Sequence, residues 1–181
     1  MGSLTERPGY LRLYGHEAIT SANNQSLVAR RLDCFKAEAT VKMEYHPTDF
    51  QQMAGLTVFY DTYNFFYLFL SSDGNGNNEL RIIVRDNLKF FDPLAGGVSI
   101  GDATEVWLRV NIHEVNIQFS YSLDGENYTD IGGVLNGINL SDEAYDEIGH
   151  EGHTGTFIGM ACQDLSGRNL HADFDSFTYR K

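Results

Sequence analysis

The sequence has few basic residues, few cysteines and no long apolar run. Its 13 lysines and arginines stand against 25 acidic residues, which gives a formal net charge of -12. Because such a surface repels phosphates and no basic stripe is present, we expect neither nucleic acid nor an anionic membrane as a partner. No apolar run approaches ~20 residues, and the N-terminus lacks the apolar stretch of a signal peptide. The sequence therefore predicts a soluble, cytoplasmic protein.

The two cysteines, Cys34 and Cys162, are too few to form a disulfide scaffold. We interpret both as buried free thiols. At 181 residues the chain fits one domain with one hydrophobic core. Residues 1–181 are therefore treated as a single domain, in which residues 1–6 are expected to be a linker or an appended segment.

The residues that are abundant favour β-structure. Ten tyrosines, twelve phenylalanines and eighteen glycines are present, and aromatic side chains favour strands whereas glycines favour turns. Alternation and apolar runs predict strands at 11–14, 26–32, 37–45, 53–61, 65–71, 80–85, 106–113, 115–123, 156–162 and 174–179. Turns are predicted at His113-Glu114 and at Asp124-Gly125, and one helical turn within 141–151. This pattern predicts an all-β fold, a jelly-roll sandwich of two antiparallel sheets.

One predicted strand, with the sequence FFYLFL at residues 65–70, is apolar on both faces. Phe65, Tyr67 and Phe69 share one face, and the even-numbered residues share the other. A sandwich has one interior, so the second face also requires cover. Three kinds of cover stay open at this point: the protein's own loops, a partner domain, or a carbohydrate in a groove.

The segment that begins at Asp73 starts like a calcium-binding loop, with oxygen-bearing side chains at its first, third and fifth positions. It then departs from the EF-hand pattern, because Asn78 replaces the required glycine and Val84 replaces the bidentate glutamate. We interpret it as a hairpin tip. A structural calcium site of another type is the alternative, and we expect no other cofactor.

The stretch 149–155, GHEGHTG, contains two of the six histidines. It could be a metal site, an acid/base group or a polar loop. His150 and His153 are three residues apart, whereas two zinc ligands on a helix require a spacing of four, and the flanking glycines oppose a helix. The spacing disfavours a metal site and predicts a loop that leads into the strand 156–162.

No catalytic motif is recognisable in the sequence: the nucleophile elbow, the P-loop, the GxGxxG stretch and the Cys-His signature are missing. The acidic residues that could be recruited for hydrolysis lie at predicted strand ends or turns, where aspartate is ordinary. They are Asp124, Glu126, Asp164, Asp173 and Asp175. From these residues alone, the function of the β-sandwich stays open.

Five longer stretches resemble one known family. They are RPGYLRLYG (7–15), QSLVARR (25–31), FQQMAGL (50–56), FSYSLDGENYTDIG (119–132) and GHTGTFIGMACQDLSGRNLHADFDSFTYR (152–180). In this order, over nearly the whole chain, they are similar to the C-terminal domain of bacterial β-xylosidases of glycoside hydrolase family 43. The resemblance implies a concanavalin A-like β-sandwich that packs against an N-terminal five-bladed propeller.

In that family the propeller carries the catalytic carboxylates of an inverting glycosidase. The resemblance therefore implies that this chain is an accessory domain, inactive alone, of a β-xylosidase or α-L-arabinofuranosidase that degrades xylan and xylo-oligosaccharides. The implied partners are the propeller of the same enzyme and, in the full enzyme, a xylo-oligosaccharide. The full enzyme is expected to be a homo-oligomer.

The family's sandwich extends a loop into the propeller's pocket and places an aromatic side chain beside the substrate. The usual string is similar to GFTGAFVG, and residues 152–159 have GHTGTFIG. His153 therefore stands where the family often has phenylalanine. The resemblance implies that His153 forms part of the pocket wall, and the imidazole adds a group that titrates near neutral pH.

Other residues are predicted to contact either the propeller or a sugar. They are Tyr67, Trp107, Gln163, Asp164 and Arg168. For the polar group 163–168, a solvated turn is an equal alternative.

Two other functions stay open. An autonomous carbohydrate-binding module is favoured if Tyr60, Tyr67 and Trp107 line a groove. A structural oligomerisation domain is the other alternative.

Overall fold

The protein is a sandwich of two β-sheets. The structure, a computed structural model, describes residues 2–142 and 154–181. Within these residues there are fourteen strands. They are β1 (Gly2–Ser3), β2 (Leu11–Tyr14), β3 (Ser26–Arg31), β4 (Lys36–Glu44), β5 (Gln52–Phe59), β6 (Phe65–Ser72), β7 (Asn78–Asp86), β8 (Lys89–Phe91), β9 (Val98–Gly101), β10 (Glu105–His113), β11 (Asn116–Ser122), β12 (Thr129–Asn136), β13 (Phe157–Asp164) and β14 (His171–Arg180).

The strands form two seven-stranded sheets with antiparallel pairings. Sheet A has the order β1-β2-β14-β4-β10-β11-β12. Sheet B has the order β3-β13-β5-β6-β7-β8, and β9 also pairs with β7. Consecutive strands such as β3, β4 and β5 alternate between the sheets. The predicted all-β jelly-roll sandwich of two antiparallel sheets is confirmed.

The hydrophobic core lies between the sheets. The inward residues of β4 alternate with polar outward residues, as the sequence predicted, and Val41 is completely buried. Leu108 of β10 and Phe119 of β11 extend this layer in sheet A, while Leu56 and Leu68 face it from sheet B. Removal of this apolar surface from water is the main favourable contribution to the stability of the fold.

Both faces of β6 are buried, and the outward face packs in a second hydrophobic cluster. The buried members of this cluster are Ile19, Phe65, Tyr67, Phe69 and Ala161. Ile19 belongs to the segment between β2 and β3, so the protein's own loop supplies part of the cover. Of the three kinds of cover considered above, the protein's own loop therefore covers this part of β6.

Side-chain hydrogen bonds fix the covering loop on sheet B. The backbone N–H of Ile19 donates to Gln163 Oε1 at 2.9 Å, and Gln25 Nε2 donates to the carbonyl oxygen of Ile19. An isolated bridge between His16 and Gln163 adds a backbone contact. The loop is therefore tied to β13, in the same sheet as the β6 strand that it covers.

Four strands were not predicted: β1, β8, β9 and β12. β12 escapes a pattern search because Gly132 and Gly133 have positive φ angles of 78° and 66°. The register of its pairing with β11 shifts between Gln118 and Phe119, so the alternation is interrupted. β8 and β9 are short edge strands that lack a long run of apolar side chains.

The first residues of the chain take part in sheet A. Gly2 and Ser3 pair with β2, and Glu6 accepts a hydrogen bond from the Tyr14 hydroxyl. Arg7 lies between Glu44 and Asp173, with N–O distances of 2.7 and 2.9 Å. Residues 2–7 thus contact strands far away in the sequence, which a linker would not do.

The turn predicted at His113-Glu114 is confirmed, because β10 and β11 form a hairpin around Glu114, whose φ is 56°. Val115 lies in this turn, whereas the sequence placed it at the start of the strand. The predicted helical turn within 141–151 falls largely outside the described residues. No helix among the described residues is long and apolar enough to cross a membrane.

Candidate functional site

One end of the sandwich exposes a group of apolar side chains. Phe35, Val115 and Ile138, here called the apolar end, have exposed fractions of 81%, 43% and 57%. They border a pocket of about 750 Å³ whose lining also includes Leu32 and Leu140. A contiguous exposed apolar surface of this kind is typical of a contact site for another protein or a ligand.

The described residues on either side of the segment 143–153 lie at the same end of the sandwich. Asp142 Oδ1 accepts a 3.0 Å hydrogen bond from the Tyr60 hydroxyl and a 2.8 Å bond from the backbone N–H of Gly155. The Thr156 hydroxyl donates to the carbonyl oxygen of Leu140. Hydrogen bonds therefore join the chain before residue 143 to the chain after residue 153, and they also join it to Tyr60 at the end of β5.

A polar cluster borders the same pocket through Asp33 and Cys34, which belong to its lining. Asp33 Oδ1 accepts a 2.9 Å hydrogen bond from the Tyr179 hydroxyl, and Asp33 Oδ2 lies 2.6 Å from Lys181 Nζ. Hydrogen bonds from Lys181 and Tyr179 hold the pKa of Asp33 below its usual value. Cys34 Sγ lies 3.2 Å from the Tyr179 hydroxyl. An apolar centre with a charged rim is the usual composition of a protein interface.

His153, the predicted pocket-wall residue, lies outside the described residues. The described residues closest to it in sequence, Thr154 and Gly155, belong to the same end of the sandwich as Asp142. Gly155 has a φ of 69°, a left-handed conformation that glycine adopts without strain. The prediction for His153 therefore stays a prediction.

Tyr67 is a core residue, so the structure corrects the predicted contact with a sugar or the propeller. Its side chain is fully buried, and its hydroxyl donates a 3.0 Å hydrogen bond to the carbonyl oxygen of Ala161. Burial holds the pKa of Tyr67 well above its usual value. Tyr60 is also buried, with 4% exposed. Neither ring offers a face to a ligand.

Trp107 lies on the outer face of sheet A and is half-buried. Gly125 packs against its ring, since a Cβ atom at Gly125 would lie 2.9 Å from Trp107 Cε2. Lys42 Nζ lies 5.0 Å from the ring centroid. The Asp124-Gly125 turn and Lys42 thus occupy surface of the indole that a sugar would need for stacking.

Gln163 and Asp164 are buried, with 6% of each residue exposed. Asp164 Oδ1 accepts from the backbone N–H of Ser166 at 2.9 Å, and Oδ2 accepts from that of Leu170 at 2.8 Å. Burial raises the pKa of Asp164, but these hydrogen bonds outweigh it and lower the pKa. Asp164 therefore organises the turn after β13, whereas Gln163 holds the loop between β2 and β3 through Ile19, and neither side chain is free for a partner.

Arg168 is the exposed member of this predicted group. Its guanidinium donates a 3.2 Å hydrogen bond to the Thr48 hydroxyl. It lies at the turn between β13 and β14, on the side of the sandwich opposite the start of β13 at Phe157. The structure therefore does not bring Arg168 together with the apolar end.

Three acidic residues that the sequence placed at strand ends or turns, Asp124, Asp173 and Asp175, have structural partners, and the last two lie within β14. Asp124 accepts hydrogen bonds from the side chain and backbone of Asn127 and from the backbone of Glu126, which lower its pKa. Asp173 pairs with Arg12 at 2.7 Å, and Asp175 pairs with Lys42 at 3.2 Å. These contacts explain the residues as parts of turns and ion pairs.

The calcium-like loop is a hairpin tip between β6 and β7. Asp73 Oδ1 accepts from the backbone N–H groups of Asn75 and Asn77, at 2.7 and 3.1 Å. Asn77 Nδ2 also donates to Asp73 Oδ2 at 2.9 Å. Within residues 2–142 and 154–181, no group of three or more His, Cys, Asp or Glu side chains is placed to hold a metal ion.

Sequence reasoning did not single out the residues of the apolar end. Phe35 lies between two predicted strands, and Ile138 follows β12, the strand that the glycines concealed. A bulky apolar residue next to a turn was the available signal, but a single one is common on protein surfaces. Only the fold shows that Phe35, Val115 and Ile138 lie beside one pocket.

The two seven-stranded antiparallel sheets define a concanavalin A-like β-sandwich. The chain belongs to the family described as the β-xylosidase C-terminal concanavalin A-like domain, whose sequence profile matches residues 1–180. This assignment agrees with the resemblance found in the five sequence stretches.

Individual relatives support the same assignment. The chain is 40% identical to a putative β-xylosidase of Escherichia coli and 38% identical to a β-xylosidase of Bacillus subtilis, over 99% and 100% of its length. It superimposes on the crystal structure of a xylan β-1,4-xylosidase from Bacillus halodurans with a TM-score of 0.94, at 38% identity over 99% of the chain. The chain spans about a third of each relative, 33%, 34% and 34% of their lengths.

Proposed function

We propose that this domain completes a β-xylosidase or α-L-arabinofuranosidase by docking its apolar end on the N-terminal catalytic domain of the same enzyme. The observation that supports this most directly is the exposure of Phe35, Val115 and Ile138 around one pocket. A domain that spans about a third of its relatives leaves a much larger part of the enzyme to cover that surface. Burial of these side chains would stabilise the contact.

The polar rim fits the same role. Asp33, Tyr179 and Lys181 already bond one another, so they keep their partners when the centre of the contact becomes dry. Charged groups at the edge of an interface fix its orientation more than its affinity. We expect the xylo-oligosaccharide itself to bind in the catalytic domain, and the full enzyme to be a homo-oligomer.

The residues that hydrolyse the glycosidic bond are proposed to lie in the catalytic domain. An inverting glycosidase requires two carboxyl groups on opposite sides of the scissile bond. In the described part of this chain the carboxylates discussed above serve turns and ion pairs. The purified chain should therefore not hydrolyse an aryl xyloside, and turnover above the buffer rate that survives rigorous purification would contradict the proposal.

His153 is proposed to help wall the substrate pocket of the full enzyme. If it binds substrate without taking part in proton transfer, His153→Ala should mainly raise KM, because the lost contact is made equally in the ground and transition states. His153→Phe, which restores the residue common in the family, should recover most of the loss. A normal KM with an abolished kcat would contradict the assignment.

The docking itself is tested with matched variants in two contexts. Phe35→Ser and Ile138→Ser are compared with Val134→Ser, whose side chain is similarly exposed, at 66%, but does not line the pocket at the apolar end. Thermal unfolding is measured for the 181-residue chain and for the full-length enzyme. The apolar-end variants should lower the melting temperature only in the full-length enzyme, since only there is the surface covered.

Two results would argue against docking at this end. One is an equal effect of Phe35→Ser in both contexts, which would indicate a role inside the domain. The other is an absence of any effect in the full-length enzyme. Because Phe35 has 81% of its surface exposed in the chain alone, its replacement there should cost little.

A further inference from the structure

A second exposed apolar surface lies on the outer face of sheet B. Phe50 and Phe90, here called the phenyl groove, have exposed fractions of 65% and 58%. They border a cavity of about 380 Å³, and its lining also includes Met53 and Ile83. This part of the outer face is left open by the loop that covers Tyr67.

The phenyl groove is separate from the apolar end. Phe50 precedes β5, whereas Tyr60, whose hydroxyl contacts Asp142 at the apolar end, follows that strand. The two surfaces therefore lie toward opposite ends of β5. A partner docked on Phe35 would not need to cover the groove.

The residues of the groove lie on or beside paired β-strands. β8 pairs with the end of β7, with Phe90 opposite Arg85 and Phe91 opposite Val84. The guanidinium of Arg85 lies 4.9 Å from the centroid of the Phe90 ring. Phe50 is tied to β6 through its carbonyl oxygen, which accepts a 3.2 Å hydrogen bond from the Ser71 hydroxyl. The aromatic edge is thus part of the folded framework.

Charged side chains lie among these rings. Arg81 donates to Asp92 Oδ2 at 2.9 Å and to Glu79 Oε1 at 3.4 Å. The side chains of Arg81, Asp92 and Glu79 are 40%, 27% and 17% exposed, so all three are reachable from solvent. Asp92 is held in place because its Oδ1 accepts a 2.8 Å hydrogen bond from the backbone N–H of Leu94. The groove combines fixed hydrogen-bonding groups with exposed aromatic surface.

We propose that the phenyl groove binds a neutral oligosaccharide. The apolar C–H faces of a sugar ring match the phenyl rings, and its hydroxyl groups can bond to the free N–H groups of Arg81 and to the carboxylate of Asp92. The cavity volume of about 380 Å³ lies near the lower end of the range for small-ligand sites, roughly 300–1,000 Å³. One or two sugar rings therefore fit.

Other ligand classes match the groove less well. An anion would face Glu79 and Asp92 and a chain with a net charge of -12. A purely apolar ligand would desolvate the Arg81–Asp92 ion pair without offering it a hydrogen bond, which is costly. A neutral, hydroxyl-rich ligand satisfies both the rings and the charges. This inference does not depend on the docking proposed above.

The experiment is a titration of the 181-residue chain with xylotetraose and cellotetraose, followed by NMR chemical-shift changes or calorimetry. We expect weak, saturable binding of at least one of the two. Phe90→Ala and Arg81→Gln should each raise the dissociation constant at least fivefold. Phe35→Ala, at the apolar end, is the matched control and should leave it unchanged.

Arg81→Lys separates the hydrogen-bonding role from charge alone. Lysine keeps the positive charge but lacks the planar fork, so binding should weaken while the melting temperature stays near that of the parent chain. The measurement remains informative even where Phe90→Ala perturbs the edge strand.

Three results would overturn the inference. The first is that neither tetrasaccharide shows saturable binding, and the second is that the groove variants leave binding unchanged. The third is a scattering mass that shows a dimer in which a second copy of the chain covers the groove. In the last case Phe50→Ser and Phe90→Ala would dissociate the assembly.

Discussion

The hydroxyl of Tyr67 donates a 3.0 Å hydrogen bond to the carbonyl oxygen of Ala161, across the strand that lies between them. Tyr67 belongs to β6 and Ala161 to β13, and β5 separates the two strands in sheet B. The same ring packs with Phe69, at 5.1 Å between centroids. This bond explains why a tyrosine occupies a strand that is apolar on both faces: its hydroxyl has an internal partner.

Tyr67→Phe should therefore keep the fold and lose about 1 kcal/mol of unfolding free energy, the usual net contribution of one buried hydrogen bond. The melting temperature should fall by roughly 2–4 °C for a domain of this size. Binding of xylotetraose should be unchanged, because the ring is fully buried. A loss of sugar binding without a loss of stability would show that Tyr67 belongs to a ligand site after all.

Gly55 marks a close approach of β5 and β6. A Cβ atom at this position would lie 2.1 Å from the carbonyl oxygen of Leu68, a backbone atom that cannot move away on its own. Gly55→Ala should destabilise the chain by at least about 3 kcal/mol, the upper range for overpacking. Gly74→Ala is the control: its surroundings are open, and its φ of 76° predicts a smaller cost of about 1–2 kcal/mol. Urea unfolding of both variants measures the difference, and equal costs would contradict this account.

The two cysteines are free, as predicted, but they differ in burial. Cys162 is buried and Cys34 is only partly so. Burial raises the pKa of Cys162 to about 12, so its thiolate is scarce at pH 8. A maleimide should label one thiol, Cys34, in the native chain and two in denaturant, as counted by intact mass. Equal labelling of both thiols in the native state would contradict this burial.

The strands that the sequence predicted are those with uninterrupted alternation. β4 and β10 have inward residues such as Val41 and Leu108 at every second position, so the period alone identifies them. β12 contains Gly132 and Gly133, whose positive φ angles shift the register, and no pattern of period two survives. A pattern search therefore finds regular strands and misses those bent by bulges.

The candidate sites were harder to predict for a different reason. Tyr67 and Trp107 were predicted as contact residues because they are large and aromatic. Whether an aromatic ring can contact a ligand depends, however, on which residues pack over it. The neighbours that decide this, Ala161 for Tyr67 and Gly125 for Trp107, are distant from them in the sequence. The exposed rings are instead Phe35 and others next to turns, where exposure follows from the fold and not from residue type.

Asp173 on β14 ties the N-terminal segment to sheet A. Arg12 Nε and Nη2 donate to its two oxygens at 2.7 and 2.8 Å, and Arg7 Nη1 donates at 2.9 Å. Arg7 also bonds Glu44 at 2.7 Å. The Asp173 side chain is only 7% exposed, so its charge depends on these two guanidinium groups.

The stability of the domain should consequently decrease in acid. Burial raises the pKa of Asp173, but hydrogen bonds from Arg12 and Arg7 outweigh it and lower the pKa below the unfolded value of about 3.9. A carboxyl group with a lowered folded pKa stabilises the fold above the unfolded pKa, and this contribution is lost as the pH falls through the folded pKa.

Asp173→Asn should therefore lower the free energy of unfolding by roughly 2 kcal/mol at pH 7. This is less than the loss of a fully buried ion pair would cost, because both arginines are partly exposed. The difference in melting temperature between the two proteins should shrink between pH 5 and pH 3. Asp175→Asn should cost less at every pH, because the Asp175 side chain is 36% exposed. A difference between Asp173→Asn and the parent chain that stays constant down to pH 3 would show that the ion pairs do not lower the pKa of Asp173.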